Sequence, residues 1–194
     1  MKKLENKTII VTGGGGIGGA TCRRFAAEGG KVAVFDMNIE AAQRVVDEIK
    51  AAGGIAQAFK CNITDRAEVD AAVAATEAAL GPIAVLVNNA GWDVFKPFVK
   101  TVPAEWDKLI AINLTGALHM HHAVLPGMAE RKYGHIVNRR LTPRVAALPA
   151  RPCTLLARAV WWPCPRPWRV NTPARASPST WSAPARPTPP CWPV

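Results

Sequence analysis

The segment KTIIVTGGGGIGGATCRRFAAEGG, residues 7–30, constrains this chain more than any other. A β-branched apolar run passes directly into glycine, and the residues beyond the glycines carry apolar groups at helical spacing before a Gly-Gly stop. Strand, glycine turn and helix in that order leave the first helix amides and the positive end of the helix dipole facing outward. That is where a dinucleotide pyrophosphate binds. An ordinary glycine-rich turn is the competing reading of the same residues.

The rhythm then repeats. KVAVFD reads as a second strand, Ile39 to Ala52 as a helix, IAQAFKC as a third strand, Arg66 to Leu80 as a helix and IAVLVNNAG as a fourth strand. Pro103 to Glu130 reads as one long helix and GHIVN as a fifth strand. Strands alternating with helices of this length imply right-handed crossovers and a parallel sheet covered on both faces. The expected class is α/β, a doubly wound, Rossmann-like parallel sheet of about five strands in the order 3-2-1-4-5. Its cleft should lie where the order reverses, between strands 1 and 4.

Asp36 closes the second strand, 18 residues after Gly18, near the offset at which an acid accepts hydrogen bonds from an adenosine ribose. A carboxylate there repels a 2′-phosphate and no Arg follows it directly, so NAD is the expected cofactor rather than NADP. A solvated strand-end acid is the plainer alternative.

The glycine loop, Asp36, NNAG at Asn88–Gly91, AINLTG around Asn113, and GHIVN together resemble the short-chain dehydrogenase/reductase family, over residues 1–138. Within it, NNAGWDVFKPF and INLTGALHMHHAVLPGM are most similar to 2-hydroxycyclohexanecarboxyl-CoA dehydrogenases. The resemblance implies that Thr12, Gly13, Gly16, Ile17 and Gly18 line the pyrophosphate and that Asp36 binds the adenosine ribose. It further implies that Asn62 and Ile63 lie by the adenine, and Asn89, Ala90 and Gly91 along the cofactor. Asn113 matches the family's helix Asn, which holds a water in the proton relay. The implied substrate is a cyclic 2-hydroxyacyl-CoA, oxidised to the 2-ketoacyl-CoA with hydride passing to NAD, and the implied assembly is a homo-oligomer.

The chain departs from the family at three points. Asn62 stands where Asp is usual, which keeps an acceptor. The loop reads T-G-x-x-G-I-G from Thr12 to Gly18, one residue shorter than the family's T-G-x-x-x-G-I-G. The chemistry needs a Tyr whose pKa is lowered by a Lys four positions on, and a Ser to polarise the substrate oxygen. Tyr133 is the only Tyr and Lys132 the last Lys, so no Y-x-x-x-K exists and Tyr133 is assigned no role. An enzyme by resemblance, the chain as written is expected to be inactive, at most a Rossmann-like module that binds NAD.

Composition changes abruptly after Asn138. The net charge of +10 divides into +1 for residues 1–138 and +9 for residues 139–194, which hold nine Arg and no Lys, Asp or Glu. The same tail holds 13 of the 17 Pro, five of the seven Trp and no Gly. Pro at that density breaks helices and central strands, so an irregular or disordered tail is expected, with one short helical turn around Thr154 to Trp162.

Such a composition is what GC-rich DNA yields when read out of frame. Taking each codon's third base with the first two of the next, Trp161 to Pro163 must encode Val-Ala. With allowed codons Arg151 to Asn171 reads AVYAACKGGLVALSKTLARE, and Ser179 to Ala185 reads NVVCPG. The first contains Y-x-x-x-K, and a Ser is permitted at the Arg140/Leu141 junction, thirteen positions before that Tyr. A frameshift near Asn138 is therefore expected, dividing the chain into an NAD-binding unit (1–138) and an out-of-frame tail (139–194). Truncation of the sheet there exposes an apolar edge and predicts poor solubility.

Other readings of the tail are weaker. Pro184-x-x-Pro187 and Pro187-x-x-Pro190 fit a P-x-x-P ligand, but such matches are common at this Pro content. Arg with interleaved Trp could stack single-stranded nucleic acid; since the charge is confined to the tail, no nucleic-acid partner is expected. His119 and His122 share a helix face without an acidic or Cys companion, so no metal site is expected.

Five Cys without a C-x-x-C pair support neither a zinc site nor a disulfide framework and fit a reduced cytoplasm. The N-terminal apolar run is too short for a secretory signal, and no run approaches the roughly 20 residues of a membrane span.

Overall fold

The computed structural model describes residues 4–94, 96–139 and 168–169. The expected helical turn at Thr154 to Trp162 lies outside them. Thr8–Thr12 forms β1, Gly16–Ala27 α1, Lys31–Asp36 β2, Ile39–Ala51 α2, Ile55–Lys60 β3, Arg66–Leu80 α3 and Ile83–Asn88 β4. A 3-10 turn at Phe98–Lys100 leads to α4 (Pro103–Ile110), followed by α5 (Gly116–Glu130) and β5 (His135–Asn138). Strands β1 to β5 are parallel and ordered β3-β2-β1-β4-β5, the doubly wound arrangement expected.

Alternation along the strands divides the core into two layers. Ile9, Val11, Val32, Val34, Val85 and Val87 face α1 and α2, where they meet Cys22, Val45, Val46 and Ile49. Ile10, Phe35 and Leu86 face the other side, against Val73, Met120, Val124 and Met128 of α3 and α5. β1 and β4 are buried throughout because both are central strands of a sheet covered on both faces. Two helices start on side-chain caps: Asn38 Oδ1 accepts from the Ala41 amide, and Asp65 Oδ1 from the amides of Ala67 and Glu68.

Two expectations require correction. The single long helix from Pro103 to Glu130 is interrupted at Ala111–Thr115 by a π-helical turn. One extra residue in the turn rotates Asn113 inward, and its side chain binds the backbone of Leu109 and Trp92. The tail is not wholly irregular: Trp168–Arg169 forms β6, which pairs antiparallel with His135–Ile136 and extends the sheet beyond β5. An edge strand needs donors on one side only, so flanking prolines are compatible with it. Among the described residues no helix is long and apolar enough to cross a membrane.

Candidate cofactor cleft

The carboxyl ends of the parallel strands diverge where the chain order reverses between β1 and β4, and a cleft of about 400 Å³ opens there. Its floor begins with the glycine turn. Gly13 adopts φ +83° and Gly16 φ +46°, conformations that disfavour any side chain. The Gly13 amide donates to the Phe35 carbonyl at 2.7 Å, which ties the turn to the end of β2.

Asp36 holds the next part of the turn. Its Oδ2 accepts from the Gly14 amide at 2.7 Å and its Oδ1 from the Asn38 amide at 2.9 Å. The short loop thus folds onto the acid. Each oxygen retains a further lone pair, since a carboxylate offers about four acceptor positions, and Asp36 lines the cleft.

The end of β4 is locked to β1 by two side chains. Thr12 Oγ1 accepts from the amides of Asn89 and Ala90, both at 3.0 Å. Asn89 Nδ2 donates to the carbonyls of Thr12 at 2.9 Å and Gly13 at 3.1 Å. Gly18 packs beneath this joint, where a Cβ would run into the Gly13 carbonyl oxygen and the Asn89 amide.

Of the residues expected at the site, Gly13, Asp36, Asn62, Ile63, Asn89, Ala90 and Gly91 line the cleft together. Thr12, Gly16, Ile17, Gly18 and Asn113 do not: Thr12 and Asn113 are buried, and Ile17 is exposed on α1. Thr12 and Gly18 instead hold the turn against β4. Asn62 turns its Oδ1 to the Thr64 amide and hydroxyl, and its own amide donates to Glu68. The Ile63 carbonyl accepts from His119 of α5 at 3.1 Å, which braces that wall.

Asn113 acts one step behind the cleft. Its Oδ1 accepts from the Trp92 amide at 3.3 Å and its Nδ2 donates to the Trp92 carbonyl at 2.7 Å. The ring of Trp92 carries the Lys108 ammonium 4.4 Å from its centroid.

Phe35, Met37, Cys61, Trp92, Ile112, Arg139 and Gly15 of the glycine turn complete the lining without having been expected there. The first five adjoin Asp36, Asn62, Gly91 or Asn113 in the chain, and that adjacency is the signal that could have found them. Burial pushes the Cys61 thiol up to about 12, with the Glu68 and Asp65 carboxylates adding to the effect. Tyr133 lies at the opposite end of the sheet, before β5, with its ring against His135 and under the Lys7 ammonium.

The family model described as short chain dehydrogenase matches residues 7–140. The chain belongs to the short-chain dehydrogenase family. Within that family it is 38% identical over 137 residues to 2-(S)-hydroxypropyl-CoM dehydrogenase 3 of Xanthobacter autotrophicus, covering 70% of this chain and 54% of the relative. It is 37% identical over 136 residues to 5-keto-D-gluconate 5-reductase of Escherichia coli K12, again 70% of this chain and 54% of the relative. The chain therefore spans about half the length of these curated short-chain dehydrogenases.

Two solved structures are also similar. NAD+-bound xylitol dehydrogenase superposes with TM-score 0.76 at 33% identity, over 81% of this chain and 61% of the other. A metagenomic short-chain oxidoreductase in complex with NADP superposes with TM-score 0.73 at 34% identity, over 80% and 71%.

Proposed function

We propose that the cleft is the NAD site of a short-chain dehydrogenase whose catalytic half has been lost from this chain by a frameshift near Asn138. The observation that carries the cofactor reading is Asp36, fixed by the Gly14 and Asn38 amides at the adenosine end of the cleft. A ribose diol can donate to the remaining lone pairs of its carboxylate. A 2′-phosphate would bring negative charge against it. Around it, Gly13, Asn62 and Ile63 form the adenosine half, and Asn89, Ala90 and Gly91 the path beyond. Gly16, Ile17 and Gly18 supply the start of α1 and the positive end of its dipole, with the Gly18 amide already donating to the Gly15 carbonyl at 2.9 Å.

NAD would supply hydride acceptance. Substrate activation must come from a Ser and from a Tyr with Lys four residues on; the only Tyr is Tyr133, and no Lys follows it in the reading frame given. Asn113 keeps the family position but serves Trp92 here. The restored protein would be an NAD-dependent dehydrogenase of a secondary alcohol, with a cyclic 2-hydroxyacyl-CoA as substrate. Residues 1–138 form the nucleotide-binding unit, and residues 139–194 are the out-of-frame product.

Two experiments test this reading. Calorimetric titration should show NADP+ binding at least roughly tenfold weaker than NAD+; equal affinities overturn the assignment of Asp36. Resequencing the DNA across Asn138 should reveal a shifted frame, and the restored gene should yield NAD reduction with a hydroxyacyl-CoA while the present chain yields none. Turnover by the present chain would overturn the account of its tail.

A further inference from the structure

The cleft contains two charged residues among its lining, Asp36 at the end of β2 and Arg139 directly after β5. Three inter-strand gaps of about 4.8 Å separate those strands in the order β2-β1-β4-β5, so the charges mark opposite ends of the site. Backbone and side chain both hold Arg139 to the end of β4. Its amide donates to the Asn88 carbonyl at 2.9 Å, continuing the β4–β5 ladder, and its Nη1 donates to Asn89 Oδ1 at 3.1 Å. The same Asn89 side chain donates to the Gly13 carbonyl. The guanidinium therefore reaches back over β4 and stands one side chain away from the glycine turn.

A dinucleotide lying across this sheet runs from Asp36, past the glycine turn and the start of α1, toward the ends of β4 and β5. Its pyrophosphate would pass a favourable cation. Its nicotinamide half would meet the volume and charge of Arg139, and in NAD+ the nicotinamide ring is itself a cation. A nucleotide that ends in phosphate avoids both penalties and presents oxygens with the geometry a guanidinium fork binds best.

We propose that the cleft of this chain is selective for an adenosine diphosphate over NAD+, with Arg139 standing where the nicotinamide half would lie and pairing with the terminal phosphate. The proposal rests on the assignment of the Asp36 end to adenosine. It makes Arg139 a specificity-determining residue.

The test is calorimetric titration of the full chain with ADP and with NAD+, repeated on Arg139→Ala and Arg139→Met. The unmodified chain should bind ADP about fivefold or more tighter than NAD+. Arg139→Ala should weaken ADP by roughly tenfold, the size of a lost charge-assisted contact, and strengthen NAD+, reversing the order. Arg139→Met should weaken ADP equally while leaving NAD+ obstructed. Unchanged thermal midpoints assign these changes to the site rather than to folding. NAD+ binding as tightly as ADP, or a ratio indifferent to both substitutions, overturns the role of Arg139 and leaves the adenosine assignment standing. Failure of both nucleotides to bind overturns both readings.

Discussion

The Gly14 amide donates to Asp36 Oδ2 at 2.7 Å, so the acid that would receive a ribose also closes the glycine turn that would receive phosphate. One carboxylate therefore couples the two halves of the nucleotide site. Asp36→Ala should reduce adenine-nucleotide affinity and release the loop together. The folded state should lose about 1–3 kcal/mol, the cost of leaving the part-buried Gly14 amide unpaired. Calorimetry and chemical denaturation on the same variant check both effects. Loss of affinity with unchanged stability would separate the two roles.

The joint between β1 and β4 rests on a hydroxyl. Thr12 Oγ1 accepts two amides and donates to the Val87 carbonyl at 3.4 Å; the bonds to Asn89 and Val87 are buried and that to Ala90 is part-buried. Thr12→Val keeps the shape and removes every one of these bonds. It should cost about 2–4 kcal/mol, because one buried and one part-buried N–H group lose this acceptor. Thr12→Ser should recover most of that loss. Urea denaturation midpoints of the pair give the answer.

The glycine turn contains positions of opposite tolerance. A Cβ at Gly18 would collide with the Gly13 carbonyl, a main-chain atom that cannot move without dislodging the turn. A Cβ at Gly15 meets nothing within 4 Å, and Gly15 has φ −77°. Gly18→Ala should therefore destabilise by roughly 3 kcal/mol or more, as overpacking against fixed backbone does. Gly15→Ala should change stability by less than about 1 kcal/mol. Thermal unfolding of the two variants distinguishes this from a general intolerance of the loop.

Much of the fold was legible in the sequence because its signals are local. KVAVFD and IAVLVN carry the apolar runs of buried parallel strands, and the helix starts expected at Ile39 and Arg66 are those the structure caps with Asn38 and Asp65. The π turn was not legible: one added residue hardly disturbs apolar spacing read at 3.6 per turn, and its consequence, Asn113 against Trp92, spans 21 residues. β6 was hidden for a different reason, since a two-residue strand takes its identity from the edge it joins, His135–Ile136, rather than from its own composition.

The cleft divides in the same way. Gly13, Asp36 and Asn89 could be recognised from their motifs, whereas Arg139 enters the site only because β5 lies beside β4 and brings its end over Asn89.

Cys22 and Cys61 give the structure a pH dependence on its alkaline side. Both side chains are buried, and burial raises each thiol from 9.0 to about 12; Arg23 opposes the shift at Cys22, whereas Glu68 and Asp65 reinforce it at Cys61. Between those values the unfolded chain releases the thiol protons while the folded chain keeps them. The unfolded state then binds fewer protons, so unfolding becomes more favourable as pH rises. Stability contributed by these groups should be intact below about pH 9 and fall from there toward pH 12. Cys22→Ala should shallow that decline, and Cys22→Ala with Cys61→Ala should shallow it further, beneath a uniform loss from the space left in the core. The slope of unfolding free energy against pH between 8 and 11, measured for the three proteins, is the readout. A double variant that declines as steeply as the parent would place the alkaline instability elsewhere. At neutral pH the same burial should leave both thiols unreacted toward an alkylating reagent in the folded protein and modified after denaturation, as peptide-level mass spectrometry would show.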